Sequence, residues 1–466
     1  MKSILQQINT ELLTSFGSEV AKLFNGQLDL ANLVINGQEL FNAALCEMIG
    51  LALTYQDKQI SESPFRKQHF RIKDKRSRVL DTSAGSVTYE RRYYEEKTTN
   101  ELIFLLDETV GIEKRSRLSL DLKAALLSDA TLMSYRQSAK HNGGPITTSA
   151  STVKNIVHSA NGAITALDQI GAEIRPVPET LYVEADEDHV AHQDGTNHFL
   201  KLVYVHEGYI KNGANKFTLK NPLFVTGEYP TAEGTEELWQ TLLDCIEKQY
   251  GGKYPKKFFL AGDGAQWIKS GVVYLPNCTL VYDKFHLKKA CKKAAIGIGG
   301  DLHKTLMGWA LQGHSSYLDD YFKIRFNDPD LRSSERSALL ESRRLIRRNW
   351  KSIQANNTLG FHGCSAEGHV SNLLSIRFSS RPMGWSQKGT DSLSQTRVFV
   401  LKDGEVLEKL QERQKVQIKV KVNLRVDNRL RPKYSTQIEK YAAVASAHFV
   451  AQANGLTREW QHGITH

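Results

Sequence analysis

The sequence predicts an α/β fold with a mixed central sheet, and three observations predict it. The hydrophobic period changes from helical spacing to two just after Pro176 and Pro178. From there the candidate elements run strand, strand, strand, helix, strand, helix, strand before helices resume. Upstream of the prolines, helical spacing is interrupted by one small β unit.

In chain order, residues 5 to 56 carry helical apolar spacing with breaks expected at Asn25-Gly26 and Asn36-Gly37. FRKQHFRIKDKRSR, residues 65 to 78, sets seven Lys or Arg against one Asp and reads as a solvated linker. RVLDTS and SVTYERRYY flank Ala84-Gly85 and predict a hairpin. SRLSLDLKAALLSDATLM, SYRQSAKH and SASTVKNIVHSANGAITALDQIG then read as three helices, the last capped by Ser149 or Ser151 after the breaker NGGP. Their spacing suits a helix-turn-helix in which Thr152, Lys154, Asn155 and His158 face a DNA groove, and equally suits an ordinary three-helix bundle. The expected divisions are 1–64 (helical), 65–115 (basic segment and β unit), 116–175 (helix-turn-helix-like), 176–400 (catalytic) and 401–466 (basic).

Strands are predicted at 180–191, 199–206, 222–228, 257–263 and 279–283, with helices at 234–249 and near Ala265 to Ser270. That order is the ribonuclease-H-like one, in which the first and fourth strands lie side by side. It makes Asp186 and Asp263 neighbours. LYVEADEDHV also places Glu184, Asp186 and Asp188 on one strand face, about 6.5 Å apart. Such crowding is stable at neutral pH if a divalent cation neutralises it. Oxygen ligands of this kind select Mg2+ or Mn2+, and a pair of ions suits phosphoryl transfer. FFLAGDGAQW sets Asp263 between glycines, which permit close approach of backbone and ligand. A third carboxylate is available in CSAEGHVSNLLSIRFSSRPMGWS at Glu367, where a helix start capped by Ser365 is the plainer explanation of an acidic residue.

Around these acids stand groups suited to DNA or to packing. Arg377, Arg381 and Trp385 offer cation and stacking contacts to a strand of DNA. Arg343, Arg344, Arg347 and Arg348 recur at helical spacing and suit phosphates or a solvated face. Asp283 and His286 in YDKFHLKK read as a positioning pair beside the acids, or as a helix-capping Asp with a partly buried His. A zinc set at His189, His192 and His198 is disfavoured, because residues three apart on a strand face opposite ways and no cysteine joins them. QIKVKVNLRV, residues 417 to 426, alternates like an edge strand guarded by lysines.

Composition narrows the classes. Sixty-one Lys and Arg against 51 Asp and Glu give a formal charge of +10, which favours a polyanionic partner. Five scattered cysteines without a C-x-x-C pair fit a reducing compartment and no disulfide framework. MKSILQQINTELL lacks the apolar core of a secretory signal, and FNAALCEMIGLALTY is shorter than a membrane span. A cytoplasmic protein is expected.

LYVEADEDHV, FFLAGDGAQWI, VYDKFHLKKA and CSAEGHVSNLLSIRFSSRPMGWS, with TYERRYY and SYRQSA upstream, resemble the Lre-type insertion-sequence transposases of bacteria, a transposase-like family of DDE enzymes related to the Mutator group. The resemblance covers the chain to about residue 400. It implies a DNA transposase in which water cuts the element's ends and the 3′ hydroxyl attacks target DNA. It also implies Asp186, Asp263 and Glu367 as ligands of two Mg2+ or Mn2+ ions, with Asp188 able to replace Asp186. Further implications are a helical insertion over about 295–360, a dimer or larger assembly on DNA, and a nucleoid-associated location. Rival readings are a nuclease or resolvase of the same fold that never joins DNA, a catalytically dead DNA-binding relic, and a two-carboxylate glycosidase.

Overall fold

The computed structural model describes residues 2–142, 148–213, 217–298, 300–381 and 383–423. Helices α1 (Lys2–Phe24) and α2 (Leu30–Glu62) meet at Asn25-Gly26, where Gly26 takes a positive φ and the Asp29 side chain caps α2 through the Asn32 amide. The break expected at Asn36-Gly37 is absent. Gly37 lies within α2, and a Cβ there would come 3.0 Å from the Phe16 ring, so this glycine serves close helix packing.

After α3 (Pro64–His69), strands β1 (Phe70–Thr82), β2 (Gly85–Glu96) and β3 (Leu102–Ile103) form an antiparallel sheet. The basic stretch 65–78 is therefore helix and strand, not a linker. Its cations meet acids across the ladder, Lys73 with Glu95 and Lys75 with Glu90, each at 3.4 Å. Helix α4 (Leu105–Val110) supplies Asp107, which is buried with Arg78 and also pairs with the half-buried Arg91.

Helices α5 (Leu120–Leu132), α6 (Tyr135–His141) and α7 (Ala150–Ser159) follow, with Ser149 capping α7 through the Thr152 amide. Next come β4 (Thr180–Ala191), β5 (Asn197–His206), the short pair β6 (Tyr209–Lys211) and β7 (Phe217–Leu219), β8 (Leu223–Gly227), α8 (Ala232–Tyr250), β9 (Lys257–Gly262), α9 (Gln266–Ser270) and β10 (Cys278–Tyr282). The large sheet is mixed, in the order β10-β9-β4-β5-β8: β5 and β8 run antiparallel to their neighbours, whereas β9 and β10 run parallel. The expected adjacency of the first and fourth long strands is present in the β4–β9 pair.

Alternation along β4 and β5 divides two cores. Leu181, Val183, Ala185, Val203 and Val205 pack against α8 on one face. Val190, Leu200, Leu202 and Tyr204 point to the other face, where they share a core with α5, α7 and later helices. The helix-turn-helix-like region is thus packed onto the sheet.

Beyond β10, helices α10 (Lys284–Ala294), α11 (Leu302–Gln312), α12 (Ser315–Phe326), α13 (Ser333–Arg348) and α14 (Trp350–Gln354) surround a core of their own. Helices thus occupy the stretch 295–360 that was expected to be helical, with a break between α11 and α12 at Gly313. The chain then returns through α15 (Ala366–Val370), a π-helical turn at Ser371–Ser375, α16 (Ile376–Phe378) and α17 (Gln387–Leu401). Helix α18 (Val406–Asn423) includes residues 417–423, which were expected to be an edge strand, and the rest of that stretch lies outside the described residues. The described residues to Leu410 form one unit, and those from Gln411 belong to a second. Among the described residues, no helix is long and apolar enough to cross a membrane, and the five cysteines are free thiols.

Two buried arginines tie α5 to the returning helices. The last carbonyls of a helix lack intrahelical partners. Here Arg377 Nε donates to the Ala130 carbonyl at 2.8 Å, and Arg397 Nη1 donates to that of Thr131 at 2.7 Å. Arg397 also donates to the carbonyls of Asn372 and Leu373. Arg377 lies 4.7 Å from the Trp385 ring centroid, and the Trp385 indole donates to the Phe378 carbonyl. The proposed DNA contacts of Arg377 and Trp385 are thereby corrected: both side chains are buried and spent on protein partners. Arg397→Met would strand three carbonyls, and we predict a loss of about 2–4 kcal/mol in urea unfolding. An unchanged midpoint would show that these contacts carry no stability.

Candidate active site

Glu184, Asp186 and Asp188 do share one face of β4, all three are buried, and each is compensated differently. Glu184 is saturated. It accepts hydrogen bonds from the Tyr204 and Tyr209 hydroxyls and from the Ser365 amide, while His206 Nε2 lies 3.1 Å away. Burial pushes its pKa up, but the hydrogen bond and charge of His206 and the bond from Tyr204 outweigh burial and hold it at about 2. Asp188 accepts from the Ser379 hydroxyl at 3.0 Å and leaves its other oxygen unpaired.

Asp186 has the least protein compensation. Its Oδ1 accepts the Glu187 amide at 2.9 Å. Burial raises its pKa to about 7, with Asp263 and Glu367 adding to the rise against the Glu187 bond and the charge of His286. One ligand atom each from Asp186, His286 and Glu367 lie within 4.8 Å of one another. Asp186 is therefore the strand residue that meets Glu367. Asp188 faces the Ser375–Ser379 turn instead.

Asp263 stands directly after β9, the parallel neighbour of β4. Its Oδ1 accepts the Ala265 amide at 2.8 Å, so it sits beside the Asp186 cluster rather than within its 4.8 Å set. Its charge reaches both Asp186 and His286. The flanking glycines are required here: a Cβ on Gly262 would come 2.7 Å from the Ala185 carbonyl, and Gly264, at φ +80°, approaches Asn349 as closely.

Glu367 lies in the first turn of α15 with its side chain half exposed. Ser365 makes no side-chain cap on this helix. Its amide and hydroxyl go to Glu184 instead, which fixes the entry to α15 from the strand that also carries Asp186. His286 sits on α10 with Nδ1 3.1 Å from Asp283 and Nε2 3.9 Å from Glu367. Burial opposes its charging, yet the Asp283 bond and the charges of Asp186 and Asp263 raise its pKa. Asp283 both caps α10, through the Phe285 amide, and orients His286. Sequence reasoning gave His286 a supporting part and missed the network around Glu184. Tyr204, His206 and Tyr209 lie 20, 22 and 25 residues from Glu184 in sequence, and β4–β5 pairing with the turn that follows brings them to it.

A cleft of about 490 Å³ opens beside Asp263, lined also by Gly264, Arg344, Arg348 and Asn349. Arg348 reaches Gln266 at 3.4 Å. Arg347 is paired with Asp319 at 2.5 Å, and Arg343 lies over the Phe326 ring, so these two point away from that cleft. Lys154 and Asn155 are exposed on α7, as is Arg381 after α16.

The chain matches the uncharacterised protein family UPF0236 over residues 23–415, and it belongs to that family. Two UPF0236 proteins of Caldanaerobacter subterraneus subsp. tengcongensis are similar to it. One is 31% identical over 407 residues, covering 84% of each chain. Another is 30% identical over 420 residues, covering 87% of this chain and 82% of the relative.

The Glu184 network generates a stability prediction. Glu184→Leu leaves the Ser365 amide and two hydroxyls without their acceptor and is expected to cost about 3–5 kcal/mol in denaturant unfolding. Glu184→Gln keeps an acceptor oxygen and is expected to cost less than half as much. Equal, small losses in both would remove the network from the account.

Proposed function

We propose that this member of UPF0236 is a DNA transposase of the DDE type, with a ribonuclease-H-like core and Asp186, Asp263 and Glu367 as its acidic triad. The observation that carries the reading is convergence: a buried acid on a central strand and an acid from a helix 104 residues beyond Asp263 (367 − 263) come within 4.8 Å of each other, and Asp263, directly after the parallel neighbour strand, lies near enough for its charge to act on the first. The strand order and the helical insertion before the third acid support the same fold.

The donor set fits hard divalent cations, since carboxylates outnumber the single imidazole. When bound, Mg2+ or Mn2+ supplies activation of the attacking oxygen and charge stabilisation of the leaving one. The chain's own residues hold the geometry. Glu184 fixes the helix that presents Glu367, Asp283 orients His286, and Gly262 and Gly264 bring the Asp263 loop close to β4. Arg344 and Arg348, beside Asp263, suit phosphates entering the cleft, and Lys154, Asn155 and Arg381 suit more distant DNA.

The chemistry balances without an external energy source. Water bonds to phosphorus at the element's end, the P–O3′ bond breaks, and the freed O3′ is protonated while the water's proton passes to solvent. The new 3′ hydroxyl then attacks a target phosphorus, and the target O3′ leaves as a hydroxyl. A homodimer on DNA would let two ends be processed together.

The test incubates purified protein with labelled element-end DNA and a target plasmid, with and without Mg2+. Wild type is expected to cleave and join. Asp186→Asn, Asp263→Asn and Glu367→Gln are each expected to lose at least about 100-fold while still binding DNA, because even outer-shell partners of metal ligands contribute about 10–100-fold. Cleavage without joined product would favour a nuclease or resolvase. Unchanged activity in all three variants would end the assignment.

A further inference from the structure

We propose a second metal site, separate from the acidic triad, in which His192, His198 and Glu228 hold a transition-metal ion, with zinc the best fit. The three residues come from the ends of three adjacent strands. His192 follows the last residue of β4, His198 is the second residue of β5, and Glu228 follows β8. The β4–β5 turn folds the chain back, with Asp194 Oδ1 accepting the Thr196 amide and hydroxyl, so the two imidazoles stack with ring centroids 3.7 Å apart and 6° between their planes. His189 and His192 do face opposite ways, as strand alternation requires, and it is the turn that brings His192 to His198. Strand β4 stops at Ala191, and His189 is exposed and takes no part.

The geometry is that of a built site. His192 Nε2 and His198 Nδ1 each lie 2.8 Å from a different oxygen of Glu228, and one ligand atom from each residue falls within a 4.8 Å set. Donors around a tetrahedral zinc sit about 3.4 Å apart, given zinc bond lengths of about 2.0–2.2 Å, so side-chain adjustments of a fraction of an ångström suffice. His192 is more than nine-tenths buried, and its Nε2 makes no hydrogen bond of acceptable geometry, even to the adjacent carboxylate. A buried nitrogen aimed at a carboxylate and a second imidazole, out of line for a hydrogen bond, is a polar group that a bound cation would satisfy.

The surroundings match how proteins orient metal ligands. Asp194 lies 3.5 Å from His198 Nε2, the ring nitrogen turned away from Glu228. The Thr390 hydroxyl donates to Glu228 Oε1, and the Glu228 amide donates to Asp391. His198 is the partly exposed member and leaves an open position for water and a route for entry. Two imidazoles favour zinc and its neighbours over magnesium. The ion would clip the β4–β5 turn to the end of β8 and the start of α17. The same turn bonds the loop after α16 through Trp385, which accepts the Gln193 amide and donates its own to Ala191.

The inference does not depend on the transposase reading. Untagged full-length protein is loaded with Zn2+, dialysed against a weak chelator and assayed for metal content and thermal unfolding. About one zinc per chain and a higher unfolding temperature are expected, both retained in Asp186→Asn and Glu367→Gln, and both lost in His198→Asn and Glu228→Gln. X-ray absorption on the zinc-loaded wild type reads the ligands without any substitution and should show two imidazole nitrogens and carboxylate oxygen. Absence of bound zinc, zinc unaffected by His198→Asn and Glu228→Gln, or a shell of oxygen alone would each overturn the proposal.

Discussion

Burying like charges on one strand face is the constraint around which this structure is arranged. Three carboxylates alternate along β4, and a buried charge is tolerated only when paired or hydrogen-bonded. The fold answers with one segment, residues 365–379, laid along that face. Its start gives the Ser365 amide to Glu184, its first turn brings Glu367 to Asp186, and its last residue gives the Ser379 hydroxyl to Asp188. The uneven compensation along the strand singles out Asp186, whose neighbours include acids as well as one imidazole.

That segment must be held rigidly for these contacts to form. Arg377 and Arg397 anchor it to the C-terminal carbonyls of α5, and Trp385 anchors the loop beyond it to the end of β4. The π-helical turn at Ser371–Ser375 lies between Glu367 and these anchors. Such turns reset the register of a helix, here letting both Glu367 and Ser379 reach the same strand face. The helical insertion contributes on the opposite side, where Asn349 and Arg348 approach the Asp263 loop.

Much of this was legible in the sequence where one physical signal dominated. Period-two patterning located the five strands of the large sheet to within two residues, and the order of elements made Asp186 and Asp263 neighbours. The signal failed where charge was compensated out of sight. The stretch 65–78 reads as a solvated linker because its acidic partners lie across a ladder on β2. Arg377 and Trp385 read as DNA contacts because nothing local reveals the Ala130 and Phe378 carbonyls that they satisfy. Ser365 reads as a helix cap because its true partner is 181 residues away. The pairing of His192 with His198 is missed because alternation within one strand says nothing of what a turn brings together across two.

The central claim is that Asp186, Asp263 and Glu367 act together on a divalent cation. Anomalous diffraction from crystals soaked in Mn2+ tests it most directly. The account predicts a manganese peak within bonding distance of Asp186 and Glu367, with the Asp263 carboxylate turned from the Ala265 amide toward the same ion or a second one beside it. Manganese that avoids Asp186, or binds there with Asp263 and Glu367 left out of its coordination, would contradict it.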